Sequence, residues 1–165
     1  MSTLFVDTIN EKTSGNGIEI PGHIVQVVHA TKSSQVAVSS TSAYTDLLSC
    51  AITTKYTNSI IMVQGCVPNY SNNVNANSWT NSHYIRLNES GGDGIVAGYE
   101  HPGPHTSMEF SQVSPVLYIS GSKSVGTYTY VIQVVATVGG DTHYFGRTTG
   151  SAPSYTRMVV MEIAQ

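Results

Sequence analysis

The sequence predicts an all-β protein built from antiparallel strands, and three observations predict it. Residues 125–140 alternate between an apolar set and a mixed set of side chains, and this period of two is typical of a strand with two different faces. Residues 157–165 form an apolar run that continues to the last residue of the sequence. No window of about 11 residues shows apolar side chains at helical spacing behind a capping residue. Many short strands separated by polar turns favour a sandwich or a jelly roll.

Length and composition narrow the class of protein. A chain of 165 residues suits one domain. Charged residues make up 10% of it, against about 25% in a typical soluble domain, and Ser, Thr, Asn, Gly and Tyr take their place. This composition is typical of rigid extracellular or virion β-proteins and of surfaces that recognise sugars. The 7 Lys and Arg residues are scattered, so the sequence has no basic patch and argues against a nucleic-acid partner.

The first residues do not resemble a targeting segment. Residues 1–10 lack the positive charge and the long apolar run of a signal peptide. No stretch approaches the roughly 20 apolar residues that span a membrane. We therefore expect a chain that is made in a cytosol and does not insert into a membrane.

Residues 1–21 differ from the rest of the chain. A short apolar run at 4–9 precedes a glycine-rich turn and a second short run before Pro21. So short a segment cannot bury its apolar side chains alone. We interpret 1–21 as an N-terminal attachment arm or neck, and 22–165 as the head domain. The arm residues expected to contact another chain are Leu4, Phe5, Val6 and Ile9.

From His23 onward, apolar runs recur at regular spacing between polar turns. They predict strands at 24–28, 35–38, 47–54, 60–67, 79–87, 95–99, 108–120, 127–138, 142–147 and 155–164. The asparagine-rich stretch 69–77 predicts a polar loop, and 88–94 predicts a glycine-rich turn. Two prolines in 100–105 predict irregular structure, and Pro115 predicts a break in its strand, because proline cannot donate to a strand ladder.

The runs 47–54 and 60–67 flank a turn-like segment and predict a β-hairpin. Such a hairpin could bring Cys50 and Cys66 opposite each other, so a disulfide is geometrically conceivable. A chain that folds in a reducing cytosol usually keeps such cysteines as small buried hydrophobes. We therefore expect two free thiols.

Several stretches, taken together, resemble a known family. They are 4–9 followed by 20–28, the pair 48–54 and 58–63, the strand and turn 84–92, the strand 126–134 and the closing residues 161–164. In this order they resemble the C-terminal head domains of bacteriophage tail-fibre and related virion proteins, notably from marine phages of the cyanophage type. The resemblance covers nearly the whole chain and consists of strand patterns without a catalytic signature.

The resemblance implies a jelly roll similar to C1q and TNF heads, assembled as a homotrimer. The mixed second face of 127–138 and the two apolar faces of the C-terminal strand also favour a contact between subunits. The function implied is that of a non-enzymatic virion surface protein, a fibre or knob head that binds a host receptor. Its expected partners are two further copies, other virion proteins through the arm, and a glycan or protein of the host cell surface. The expected location is the virion, assembled in the bacterial cytoplasm.

Two other functions remain open. Fibres of this kind usually carry a long shaft and a large anchoring domain before the head, whereas about 21 residues precede it here. This departure favours an accessory fibre, a docked knob, or a decoration protein that stabilises the capsid or tail without binding a receptor. A cytoplasmic trimeric lectin of bacterial origin is the more distant alternative.

The sequence offers little chemistry for a metal site or an enzyme. His101 and His105 flank a Pro-Gly-Pro segment, and three copies could present imidazoles to a metal, but the spacing fits no standard ligand signature. A glycosidase needs two carboxylates about 5–10 Å apart. The close acidic pairs, Glu100 with Glu109 and Glu89 with Asp93, are equally explained by chance pairing in turns. No Gly-x-Ser-x-Gly elbow is present. We expect neither a cofactor nor catalysis.

Recognition is the better supported chemistry. Aromatic faces stack on the C–H surfaces of sugars, and asparagine amides supply both donors and acceptors. For Trp79 the favoured alternative is a core cap at a sheet edge, and the stretch 69–77 suits a solvated loop equally well. The predicted contact residues are Tyr70, Asn72, Asn73, Trp79, Tyr99, His101 and His105.

Overall fold

The computed structural model describes residues 20–72, 83–90, 94–101, 109–136, 142–146 and 154–165, with backbone alone for 71–72, 94–101 and 109–112. Within these residues every regular element is a β-strand and every pairing is antiparallel, which confirms the predicted class. The strands are β1 (Ile24–Lys32), β2 (Val36–Val38), β3 (Thr45–Thr53), β4 (Ile60–Asn72), β5 (His83–Ser90), β6 (Gly94–His101), β7 (Glu109–Ile119), β8 (Thr127–Ala136), β9 (His143–Phe145) and β10 (Thr156–Ile163). The predicted arm, including Leu4, Phe5, Val6 and Ile9, lies outside the described residues.

The strands form two sheets. The first has the order β1-β10-β4-β9-β2, and β7 pairs with the other edge of β4. The second has the order β3-β8-β5-β6. Along the described strands, the chain changes sheets between β2 and β3, between β3 and β4, between β4 and β5, on either side of β7, and between β8 and β9. This alternation of antiparallel strands between two sheets is consistent with a jelly-roll sandwich.

The hydrophobic core lies between the two sheets. On β8, the predicted apolar set faces this core, and Tyr130, Ile132 and Val134 are fully buried there. The opposite set points outward, yet Val131 and Val135 are only 7% and 5% exposed. The mixed face of this strand is therefore covered largely within one chain, so it does not by itself indicate a second subunit.

The predicted hairpin between 47–54 and 60–67 is wrong. β3 pairs with β8, and β4 pairs with β7, β9 and β10, so the two runs belong to different sheets. The segment that connects β3 to β4 is instead hydrogen-bonded to the segment before β8. The Thr54 hydroxyl donates to the carbonyl oxygen of Ser124 over 2.8 Å. Cys50 lies opposite Tyr130, whereas Cys66 lies on β4, and both thiols are free, as expected.

Several stretches expected to be irregular are strand, including residues 88–90 of the predicted glycine-rich turn, which end β5. Residues 69–72 continue β4 and pair with 109–112 of β7, because the longer partner strand supplies hydrogen-bonding groups that a loop would leave to water. Pro115 does not break β7, since this strand pairs only with β4 among the described strands and an edge strand needs no second row of donors. Similarly, Glu100 and His101 are the last residues of β6.

A buried carboxylate connects the end of the chain to the segment between β3 and β4. Glu162 on β10 has no exposed surface. It accepts hydrogen bonds from the Ser59 hydroxyl at 2.7 Å, from the backbone amides of Lys55 and Tyr56 at 2.9 and 3.1 Å, and from the Gln26 amide at 2.6 Å. Burial by itself raises the pKa of Glu162, but these donors outweigh it and hold the pKa below its ordinary value. The carboxylate therefore anchors the fold. The apolar pattern of the strand does not predict this role.

Candidate functional site

The outer face of the first sheet is largely apolar, although His29 and Gln64 lie on it in one row with Val159 and Leu117. Val27, Met161, Met62 and Ile119 lie side by side across β1, β10, β4 and β7, because each is the register partner of the next. Val27 is 54% exposed and Ile119 is 58% exposed. We call this surface the apolar face; its residues are Ile24, Val27, Ile60, Met62, Leu117, Ile119, Val159, Met161 and Ile163. Exposed apolar side chains aligned across four strands make this surface a candidate interaction site.

The two faces of the C-terminal strand β10 point into the core and toward the apolar face. Met158 and Val160 are fully buried between the sheets. Val159, Met161 and Ile163 point the other way and are half-buried. The prediction of two apolar faces is thus confirmed, and one of them is packed in the core of the same chain.

The outer face of the second sheet carries a hydrogen-bonded row of polar side chains. Asp46, Gln133 and Arg86 are register partners on β3, β8 and β5. The Gln133 amide nitrogen donates to Oδ1 of Asp46 over 2.6 Å, and Nε of Arg86 donates to Oε1 of Gln133 over 2.8 Å. The Arg86 guanidinium carbon lies 3.4 Å from the centre of the Tyr44 ring, a close cation–π contact. The row therefore fixes the ring of Tyr44, which precedes β3.

Beside Tyr44 the same face contains a pocket of about 300 Å³. This volume lies at the small end of the range for ligand sites, about 300–1,000 Å³. Among the described residues, no charged side chain lines it. Its walls are formed by Thr41, Ser42, Tyr44, Tyr84, Val135 and Ala136. The chemistry that it offers is two phenol rings, two aliphatic hydroxyls and small apolar groups.

The structure places Tyr70 differently from the sequence-based expectation. Tyr70 lies within β4, not in a loop, and is 6% exposed. Its ring packs against Tyr144 with the ring centres 5.9 Å apart. Its side chain therefore offers little surface to a receptor.

The other predicted contact residues are only partly described. Asn72 is the last residue of β4, and Tyr99 and His101 pair with Ile85 and His83 in the ladder between β6 and β5. The remaining three, Asn73, Trp79 and His105, lie outside the described residues. Their proposed contact with a receptor stays a prediction.

The buried titratable side chains Glu89, His83 and His143 pack against other residues of the fold. Glu89 is 5% exposed, and its carboxylate lies 2.8 Å from Nζ of Lys123 in an ion pair. His83 and His143 are buried between the sheets with ring centres 5.1 Å apart, and His83 also packs edge-on against Phe145. Within the described residues, no group of three or more His, Cys, Asp or Glu side chains is arranged to hold a metal ion.

Sequence reasoning missed Tyr44, Arg86 and Gln133 as candidate site residues. The signal available was a glutamine in the outward set of the long strand, together with a lone arginine in the alternating strand 83–90. Their contact depends on β5 and β3 flanking β8, and strand neighbours in a sandwich cannot be read from the period alone. The pocket therefore appears only once the sheet order is known.

No helix in the described part of the chain has the length and apolar character needed to cross a bilayer. Comparison of the chain with protein-family models and with curated proteins gave no match. The fold and the two outer faces are accordingly the basis for assigning a function.

Proposed function

We propose that this chain is the head of a bacteriophage surface protein. In this proposal it has a jelly roll similar to C1q and TNF heads, assembles as a homotrimer through the apolar face, and uses other surfaces to bind a host receptor. The observation that carries the proposal is the contrast between its two outer faces. One sheet presents aligned apolar side chains, and the other presents a hydrogen-bonded polar row with a pocket.

The apolar face supports self-association. Leu117 and Ile119 on β7 and Val27 on β1 each expose more than half of their surface, and they lie at the two sides of the sheet with Met62 and Met161 between them. Removing such surface from water is favourable by roughly 25 cal/mol per Å². A cyclic assembly covers the same patch on every copy and closes without leaving a free end. The number of copies, three, follows from the resemblance to fibre heads.

The virion context also follows from that resemblance, and the composition agrees with it. A chain with 10% charged residues and abundant hydroxyl and amide side chains suits a rigid external surface. In the proposal, residues 1–21 attach the head to another virion protein, and no nucleic acid or membrane takes part. Catalysis has no assigned role, because recognition requires only a rigid surface.

Measurement of the assembly tests the first half of the proposal. Light scattering of the full chain should give about three times the 17.6 kDa chain mass. Ile119→Glu should shift the mass toward one chain, because it places a charge in the apolar face. Val125→Glu is the matched control, since Val125 is 58% exposed but precedes β8 outside that face. A monomeric wild-type protein, or equal behaviour of the two variants, would overturn this mode of assembly.

Adsorption to cells tests the second half. The isolated wild-type head should bind to host cells that the parent particle infects and should compete with the particle for them. If it adsorbs to none of them, receptor binding fails. The alternative then takes its place: a capsid or tail decoration protein that uses the same apolar face and arm to stabilise the particle.

A further inference from the structure

We propose that the pocket between Tyr44 and Tyr84 is a binding site for a neutral saccharide. This inference rests on the proposed function of the chain as a recognition head and names the ligand class and the site. It places the contact on the outer face of the second sheet, where Tyr84 pairs with Glu100 in the ladder that also contains Tyr99 and His101. The pocket lies opposite the apolar face, on the other sheet of the sandwich, so self-association through the apolar face leaves it open.

The walls of the pocket match the chemistry of a sugar. Tyr44 and Tyr84 supply aromatic rings, whose faces pack against the C–H groups of a pyranose. Thr41 and Ser42 supply hydroxyls that both donate and accept hydrogen bonds, as the hydroxyls of a sugar do. A volume of about 300 Å³ accommodates a sugar unit.

The ring of Tyr44 is held in position before a ligand arrives. Asp46 accepts from Gln133, Gln133 accepts from Arg86, and the Arg86 guanidinium lies against the ring. Each member is fixed by the next, so little side-chain entropy remains to be lost when a ligand packs on the ring. Preorganisation of this kind raises affinity without any added contact.

The charges near the pocket favour a neutral ligand. The cation of Arg86 and the anion of Asp46 belong to one row, joined through Gln133, and neither side chain lines the pocket. Since these two charges compensate each other across a single glutamine, they offer an ionised ligand no unpaired counter-charge. Binding should therefore change little with salt concentration.

Saturation-transfer NMR on the full-length protein tests the site, with methyl glycosides of glucose, galactose, mannose and N-acetylglucosamine as probes. Transfer to at least one neutral glycoside is expected, and it should fall at least tenfold in Tyr44→Ala. Ser42→Phe is the second variant: Ser42 is exposed, so a larger side chain fills the pocket without disturbing the core. Tyr155→Ala is the matched control, because Tyr155 is exposed and carries the Arg157 guanidinium 5.4 Å from its ring on the other sheet.

The role of the polar row is tested separately. Gln133→Leu should weaken transfer to the same glycoside while leaving the wall residues in place, and Tyr44→Phe should retain most of it, because the stacking ring remains. Transfer that persists in both Tyr44→Ala and Ser42→Phe, absence of transfer to all four neutral glycosides, or stronger transfer to methyl glucuronide would overturn the inference. Adsorption of the wild-type head to host cells alongside any of these results would leave the receptor-binding function standing and move its site elsewhere.

Discussion

The Ser59 hydroxyl donates to the carboxylate of Glu162 over 2.7 Å, and both side chains are fully buried. These residues are 103 positions apart in the sequence. Their bond joins the segment between β3 and β4, where the chain crosses from one sheet to the other, to the last strand. A charged group without exposure is stable in such a position only when its oxygens are fully hydrogen-bonded, as they are here.

Replacing this carboxylate should therefore be costly. Glu162→Gln keeps the shape but turns one acceptor oxygen into a donor. With its remaining oxygen toward Ser59 and Tyr56, the new amide nitrogen faces the donors of Gln26 and Lys55. We expect a loss of about 2–3 kcal/mol in the free energy of unfolding, measured by urea denaturation. Ser59→Ala removes a single donor and should cost less. Equal stability of wild type and Glu162→Gln would contradict the anchoring role.

The same residue makes stability depend on pH in the acid range. The folded-state pKa of Glu162 is lowered, so its contribution is fully present above the pKa of the unfolded chain, about 4.3 for Glu, and is lost as the pH falls through the lower folded value. The free energy of unfolding should decrease as the pH falls from about 5 toward the lower folded pKa. That slope should be shallower in Glu162→Gln. A parallel slope in the two proteins would assign the acid sensitivity to other groups.

Gly65 on β4 is expected to tolerate no side chain. A Cβ atom there would lie 2.8 Å from the backbone oxygen of Arg157 and 3.4 Å from Cδ1 of Ile132. The first contact is with backbone, which cannot move without disturbing the ladder between β4 and β10. Gly65→Ala should lower the free energy of unfolding by about 1–3 kcal/mol.

Gly121 provides the control for that substitution. No atom lies within 4 Å of a Cβ built at Gly121. Gly121→Ala should therefore leave the melting temperature nearly unchanged, whereas Gly65→Ala should lower it. Similar melting temperatures for both variants would show that β4 and β10 are less closely packed than their register indicates.

The ion pair between Lys123 and Glu89 yields a double-mutant test. Glu89 is nearly buried, and Lys123 supplies its counter-charge over 2.8 Å. Lys123→Met should cost about 3 kcal/mol, because it leaves a buried carboxylate without its partner. The double variant Lys123→Met, Glu89→Leu should recover much of this loss in thermal denaturation. A double variant as unstable as the single one would mean that the carboxylate has other essential partners.

Attachment through residues 1–21 is a prediction from the sequence that can be tested independently of the head. Deleting residues 1–20 should leave a folded head that no longer joins particles, because the short apolar run of the arm is expected to add edge hydrogen bonds and apolar contacts to a partner. Circular dichroism checks the fold, and incorporation is followed by quantifying the chain in purified particles. Normal incorporation of the truncated chain would place attachment in the head itself.

Local periodicity predicts the strands well but not their neighbours. The alternation in residues 127–138 correctly predicts which side chains of β8 face the core, since period two depends on the strand alone. The hairpin between 47–54 and 60–67 was wrong because adjacency in sequence does not decide between pairing within a sheet and crossing to the other sheet. The predictions of a break at Pro115 and of a loop at 69–72 were wrong for a similar reason. An edge strand accommodates the proline, and pairing with a long partner strand accommodates the asparagines.

The candidate site was less predictable than the fold. Tyr44, Arg86 and Asp46 come from three separate parts of the sequence and meet only through Gln133 and the sheet order. Buried polar anchors such as Glu162 are hidden for the same reason, because their donors come from the far end of the chain. Sequence composition nevertheless indicated the kind of chemistry, tyrosine rings and hydroxyls, that forms the pocket.

Two strands pair one after the other along the same edge of the long strand β4. Along one edge, residues 60–66 pair with β10 and residues 69–71 pair with the short strand β9. Pro68, which has no amide hydrogen, lies between these two ladders. The first sheet therefore contains a natural boundary across its width, with a long ladder on one side and three residue pairs on the other. Amide hydrogen exchange should divide at this boundary, with the β9 end opening to solvent more often than the β10 end.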